Sequence, residues 1–433
     1  MTLELSRHHN TSHDLNTTPE TLVMGDESML TLPPSGAHVS IVRSDGTAKI
    51  QGDFTPGREL PDDQSCYTTR SGTQIFSGKV VNGNASRYGT QQGVSSHPAR
   101  YLEPGQMNIR IPSETKVWPK LHIKNATSID YPLDLKFGSL KITGNLEDLE
   151  LIRLEADKVT WNTQNGALKI GELITRDPSS IKTGMKSLKV GSWTGGKTAF
   201  QTRGARVRID NMKVEEVDGE SGAGSIDFGT LNTTGVAKFR YQGKELHIDN
   251  AQVGSIDAKT NCAPTRIGSL TAGTTAIFDT GSGDFEAKEI KADNLSVNTI
   301  SGDIDIVKSD ANNTGLSTTS GGIQGGKLES KSQLEMKSSS GDIYGQCTLP
   351  VNGSITTNAG SVDVTLTGEP SNGSDFTVST ISGDVNLQLK PLKSKSFKGI
   401  IEVRTGSGRF KGGEDISVFD TGRRVKEARF GTR

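Results

Sequence analysis

The chain has 433 residues and a formal net charge of -1, with 49 Lys and Arg against 50 Asp and Glu. That balance excludes a global pull toward nucleic acid or an anionic membrane, and no stretch approaches the roughly 18 consecutive apolar residues of a transmembrane helix. Only 32% of residues are hydrophobic and 5% aromatic, whereas 51 are glycine, so glycine stands where bulky side chains ordinarily do.

Residues 1–28 are polar and rich in His, Asn and Thr, and read as a disordered tail. They lack the apolar core of a secretory signal, so export by the ordinary route is not expected. Residues 29–105 bring back alternation, as in Ala37-His-Val-Ser-Ile-Val-Arg-Ser44. They read as irregular β coils with an aperiodic loop at 86–104.

One pattern then fills residues 106–412. Leu295-Ser-Val-Asn-Thr-Ile-Ser-Gly-Asp-Ile-Asp-Ile306 repeats as Phe376-Thr-Val-Ser-Thr-Ile-Ser-Gly-Asp-Val-Asn-Leu387. Each is an alternating strand, a polar corner and a second alternating strand. Numbered by the corner glycine, the series runs Gly166, Gly184, Gly204, Gly224, Gly243, Ala263, Gly283, Gly302, Gly321, Gly341, Gly360, Gly383 and Gly408. A period near 20 residues predicts an all-β fold, a single-stranded parallel β-solenoid (β-helix) of about fifteen coils. Coils stacked about 4.8 Å apart would make a rod about 70 Å long. Leu295, Val297, Ile304 and Ile306 are predicted to face inward, and Ser296, Asn298 and Asp305 outward. One corner glycine per coil, with Gly283, Gly302, Gly321, Gly341, Gly360 and Gly383 the clearest, is expected to supply positive φ at a tight bend. Leu146 to Asp157 has helix-compatible spacing, but the alternation of Leu149, Leu151, Val159 and Trp161 favours a strand. Residues 413–433, with Arg423, Arg424, Lys426, Arg429 and Arg433, read as a solvated basic tail, with docking over the open end of the solenoid as the alternative.

The Thr/Ser-x-Ser-Gly-Asp-apolar corners resemble those of the bacterial adhesin-type β-strand-repeat proteins of unknown function. The resemblance is carried by residues 276–412, less closely by 160–275, and by Val39-Ser-Ile-Val-Arg-Ser-Asp-Gly-Thr-Ala-Lys-Ile-Gln-Gly52, which looks like that family's first repeat. It implies a β-solenoid and an adhesin-like role, and it brings no catalytic residue with it.

Chemistry-bearing clusters are few. The corner acids Asp284, Asp303, Asp342 and Asp384 form an interrupted column in which only Asp284 and Asp303 are adjacent. Stacked carboxylates could hold Ca²⁺, but Asp is also a common turn residue, and the turn reading is preferred. The outward acids Asp227, Asp305 and Asp363 lie singly, which argues against the acid pair of a polysaccharide lyase or hydrolase. His8, His9 and His13 sit in the polar tail, and His122 and His247 in strands. Cys66, Cys262 and Cys347 have no metal-ligand spacing and read as small buried or partly buried residues. No cofactor or catalytic residue is expected.

The sequence therefore predicts a non-enzymatic binding or structural scaffold whose ligand is a surface, a glycan or a protein. The alternatives are a carbohydrate-active β-helix enzyme, or a filament formed by self-association through the solenoid ends. Nucleic acid is not an expected partner. The expected location is the cytoplasm, or the cell surface if the family's role applies.

Overall fold

The computed structural model describes residues 148–368, 374–390 and 399–412 without a break. Shorter pieces are described between residues 20 and 144, together with strands Ser417–Asp420 and Lys426–Phe430. The described residues contain strands, turns and bends and no helix. They form a parallel β-solenoid of about 13 turns with a period near 19 residues, close to the fold read from the repeat. The chain divides into two compact units, Met1–Gln201 and Thr202–Arg433.

In the first unit, Leu121 pairs with Leu140 and Leu140 with Val159, each step being one coil. Leu149, Leu168 and Leu188 make a second column. The segment with helix-compatible spacing is the long strand Leu149–Thr163, as its alternation predicts. The start of the stack is built from distant pieces of chain. Ser28–Thr31 pairs in parallel with Val117–Lys124. Ala37–Ser44 lies between Ala126–Asp130 and Gly105–Pro112. Beyond them Lys49–Asp53 and then Glu20–Val23 add antiparallel strands. Within the segment 1–28 the described residues are 20–23 and 28, which are paired; the rest of that segment and the loop at 86–104 lie outside the described residues.

The second unit shows how a coil is made. Over Ile304–Thr318 the inward residues are 304, 306, 309, 311, 314, 316 and 318. Strict alternation fails twice, at Val307-Lys308 and Asn312-Asn313, where two successive side chains face out. In an extended chain, two successive outward side chains mark a change of direction. Each coil therefore has three sides and three bends, where the sequence showed two strands and one corner. Val207–Ser221 and Phe285–Thr299 break at equivalent places.

The interior is filled column by column. Val207, Ile226, Leu246, Thr265, Phe285, Ile304, Ile323 and Ile343 stack in register, all 0% exposed. Each such buried apolar side chain contributes about 1.5–3 kcal/mol relative to leaving it in water. Leu295, Val297, Ile304 and Ile306 face inward as predicted, with Ser296, Asn298 and Asp305 outside. Where one residue is too small, its neighbour fills the gap. Gly353 stacks under Phe376, whose ring occupies the space a Cβ at 353 would take.

At the far end, Gly399–Thr405 pairs in parallel with Ser374–Thr380. Lys426–Phe430 then lies antiparallel on Gly399–Thr405, and Ser417–Asp420 antiparallel on Lys426–Phe430. Within 413–433 these two strands are paired, in keeping with the docking alternative; residues 413–416, 421–425 and 431–433 lie outside the described residues. Composition hid this because the pairing depends on a partner strand far back in the chain.

Candidate functional site

The corner is the most regular polar feature, and each of its residues bonds to the neighbouring coil. Thr318 accepts the N–H of Gly321, three residues on, at 3.1 Å and donates to the carbonyl of Gly302 in the previous coil at 3.2 Å. Ser338 does the same with Gly341 at 2.8 Å and Gly321 at 3.0 Å. Thr357, Thr380 and Thr405 continue the ladder. These hydroxyls are buried, so each satisfies two backbone groups that water cannot reach. Thr318→Val is expected to leave the Gly321 N–H without its partner, while the Gly302 carbonyl keeps the Thr299 hydroxyl, and to cost about 1–3 kcal/mol, with Thr318→Ser largely sparing the loss. Equilibrium unfolding of the three proteins checks this; a valine variant as stable as the parent would sink it.

The corner glycines have a different role from the one expected. None of Gly283, Gly302, Gly321, Gly341, Gly360 and Gly383 has a left-handed φ; among the described glycines only Gly144, Gly281 and Gly368 do. What the corners require is close approach. A Cβ on Gly302 would overlap the carbonyl of Gly283, one on Gly321 that of Gly302, and one on Gly341 that of Gly321. Nor is there one glycine column alone. At the second bend a Cβ on Gly191 would overlap the Gly171 carbonyl and one on Gly268 that of Asp249. At the third, Gly254 lies equally close to the Thr234 carbonyl.

The corner acids complete the stitching. Asp284 Oδ1 accepts the N–H of Asp303 at 2.9 Å, and Asp303 Oδ1 accepts that of Gly322 at 2.7 Å. Asp342 and Asp384 bond the N–H groups of Ser361 and Arg409 in the same way, each at 2.7 Å. One carboxylate oxygen of each is thus committed to a backbone N–H of the next coil. Among the described residues no three His, Cys, Asp or Glu side chains gather where a metal ion could be held.

The outward acids are tied to neighbours. Asp227 pairs with Arg206 at 2.7 Å and Asp210 with Arg208 at 2.8 Å. Arg266 bridges Glu245 and Glu286 from the coils on either side. Asp363 accepts from Asn386 Nδ2 at 3.1 Å. Asp305 stacks beside Glu286, and partial burial together with that like charge pushes its carboxyl above the ordinary range. These exposed pairs add little stability each. His122 bonds Thr143 at 3.2 Å and His247 lies 3.2 Å from Asp249, on separate coils. Cys347 is buried, which pushes its thiol up to about 12, whereas Cys262 is exposed, against the buried reading. Cys66, His8, His9 and His13 lie outside the described residues.

One outer side stands apart, and sequence reading missed it. Asn294, Asn313, Gln333 and Asn352 stack in register as a ladder of amides, with Asn313 Nδ2 donating to Asn294 Oδ1 at 2.7 Å. Beside it run Ser296, Gly315, Glu335, Ser354 and Thr377, then Asn298, Ser317, Lys337, Thr356 and Ser379. Across these coils the side bears amides and hydroxyls, with Glu335 and Lys337 as one oppositely charged pair and Asp375 next in register after Asn352. The available signal was the return of Asn, Ser and Thr at the same phase of successive repeats.

Among the described residues no helix is long and apolar enough to cross a membrane. Curated proteins and solved structures offer no match to this chain. The family model described as Toastrack DUF4097 matches residues 244–409, from just after the corner at Gly243 to just after the corner at Gly408, and supports an uncharacterised β-repeat family for that stretch.

Proposed function

We propose that the chain is a non-enzymatic scaffold that presents its amide and hydroxyl side, on which Glu335 and Lys337 balance over residues 294–356, to an uncharged, hydroxyl-rich ligand such as a neutral glycan. The observation that carries this reading is the division of labour among polar groups. The hydroxyls, glycines and carboxylates of the repeat are spent joining coil to coil, while the outward groups form flat columns. Adjacent columns repeat about 4.8 Å apart between coils and about 7 Å apart along a strand. A surface of that kind offers many weak, similar hydrogen bonds and little long-range field. A polysaccharide lyase or hydrolase would instead need acids converging across a groove. Apart from Asp305, the outward acids above pair with immediate neighbours. A filament joined through open strand edges is not favoured either, because antiparallel strands lie on Gly105–Pro112 near one end and on Ile401–Thr405 near the other.

Retention on immobilised neutral and acidic glycans tests this. Neutral glycan is expected to retain the protein equally across a roughly tenfold range of salt, since screening acts on charges. Ser317→Glu with Thr356→Glu is expected to abolish retention, and Lys288→Glu, at a different bend, to leave it intact. Retention that falls steeply with salt, or release of sugar fragments, would overturn the reading.

A further inference from the structure

A second polar side lies in the first unit, within Met1–Gln201, and its chemistry is different. Lys120 and Lys158 stand two coils apart in one outward column, with Lys141 in the next column on the coil between them. Lys182 stands in a third column, one coil further on. All four are exposed, and among the described residues Lys141, Lys158 and Lys182 have no carboxylate partner. The other described positions of these columns hold hydroxyls, an amide and His122, and no acid. Earlier in the strand that carries Lys158, Glu155 and Asp157 are already engaged by Lys136 and Arg176. Lysines of the second unit are neutralised in place, as Lys308 is by Glu289 and Lys331 by Asp310. This side is therefore a local excess of positive charge on a chain whose net charge is -1.

We propose that this side is a docking surface for an anionic lipid bilayer, against which it lies flat. Charge complementarity carries the proposal, and the distribution of the charges chooses the partner. The four lysines span about 14 Å along the stack and about 14 Å along the strands. A linear polyanion follows one line and would be met by lysines recurring in one column, whereas these step across three. A bilayer surface is itself two-dimensional, and its anionic headgroups gather wherever the charges stand. The side is flat, because outward side chains of parallel strands in register rise to a common level. Lysine suits such a partner, since its ammonium is a point charge that needs no fixed geometry. A site for one phosphate or carboxylate gains from the fork of arginine, and among the described residues these columns hold none. Nor do they hold an aromatic side chain on which nucleic-acid bases could stack. The pull of an anionic surface falls off within about 10 Å, so it acts on the side that faces it and not on the net charge of the chain. The proposal is independent of the neutral-ligand reading, which concerns residues 294–356.

The test uses the full-length chain and vesicles of phosphatidylcholine, either alone or with about one third phosphatidylserine. At low salt the chain is expected to sediment with the phosphatidylserine vesicles and not with phosphatidylcholine alone. Binding is expected to fade over a roughly tenfold rise in salt. Each lysine near such a surface strengthens binding about fivefold, so Lys141→Gln, Lys158→Gln and Lys182→Gln are each expected to weaken it by about that factor, and together by about a hundredfold. These side chains are exposed and hold no ion pair, so the triple variant is expected to melt with the parent. A charge-matched control, Lys213→Gln with Lys244→Gln and Lys288→Gln, removes three exposed lysines of the second unit and is expected to bind like the parent. Binding that survives the first triple substitution, that the control loses equally, or that phosphatidylcholine alone supports overturns the proposal. A chain that ignores the vesicles at low salt overturns it as well. Retention on single-stranded DNA or an acidic glycan through the same three lysines would then assign the side to a linear polyanion.

Discussion

Gly321→Val is expected to destabilise the second unit by about 3 kcal/mol or more, the range of severe overpacking. The Gly321 α-carbon sits so close to the previous coil that a Cβ would overlap the Gly302 carbonyl, which is backbone and cannot rotate away. Relief would require parting the coils, and with them the bonds of Thr318 to Gly302 and of Asp303 to Gly322. Gly315 is the control. A Cβ there meets nothing nearer than the Leu295 carbonyl at 4.0 Å, and its φ is not left-handed. Gly315→Ala is therefore expected to be neutral or to add about 0.4–1 kcal/mol by restricting the unfolded chain. Denaturant unfolding gives the ranking. Because coils interact with their neighbours, hydrogen exchange should also show the damage localised to residues 304–338. Equal losses at 315 and 321 would remove close approach as the explanation.

The second large effect is expected at Phe376, where truncation to alanine should cost about 3–5 kcal/mol. Phe376 is 1% exposed and stacks between Gly353 and Ile401. Its ring fills room left by a glycine one coil earlier, so the two positions share a volume. Gly353→Ala in the parent is expected to destabilise by displacing the ring, yet to recover about 1 kcal/mol in the Phe376→Ala background. The sign of the Gly353→Ala effect thus depends on what stands at 376. Unfolding of the parent, both single variants and the double variant measures it, and additive losses would show that the two side chains do not share space.

Much of this fold was legible because its two signals are local. Alternation in Leu295–Ile306 and the recurring Ser-Gly-Asp corner identify coils without knowledge of any distant contact. Three things escaped for physical reasons. The bends at Val307-Lys308 and Asn312-Asn313 look like irregular alternation, and an exposed Val307 misleads any reading by hydropathy. Thr318 and Ser338 face inward although polar, because a solenoid interior contains backbone groups of adjoining coils that hydroxyls can serve. The glycines were assigned to the right corners for the wrong cause: spacing reveals that a position excludes side chains, but not whether torsion or proximity excludes them. The amide ladder was readable only once the register was known, since Asn294, Asn313, Gln333 and Asn352 are ordinary surface residues one coil at a time. The pairing of the strands at 417–420 and 426–430 depends on a long-range partner and left no local trace.

The threonine, glycine and aspartate of each corner make their bonds one coil away and no further. A coil therefore carries no information about its ordinal place in the stack. Removing residues 303–321 as one block leaves the corner at Gly302 facing the corner at Gly341, with Thr299 and Ser338 still in line. Duplicating the block does the converse. As far as these corner bonds are concerned, copy number is a free variable that recombination can alter in steps of about one period, whereas complementary pairs such as Gly353 and Phe376 tie particular coils together. Among the described residues, the strands at 20–23, 49–53, 417–420 and 426–430 run antiparallel to their neighbours and stand outside this repeat.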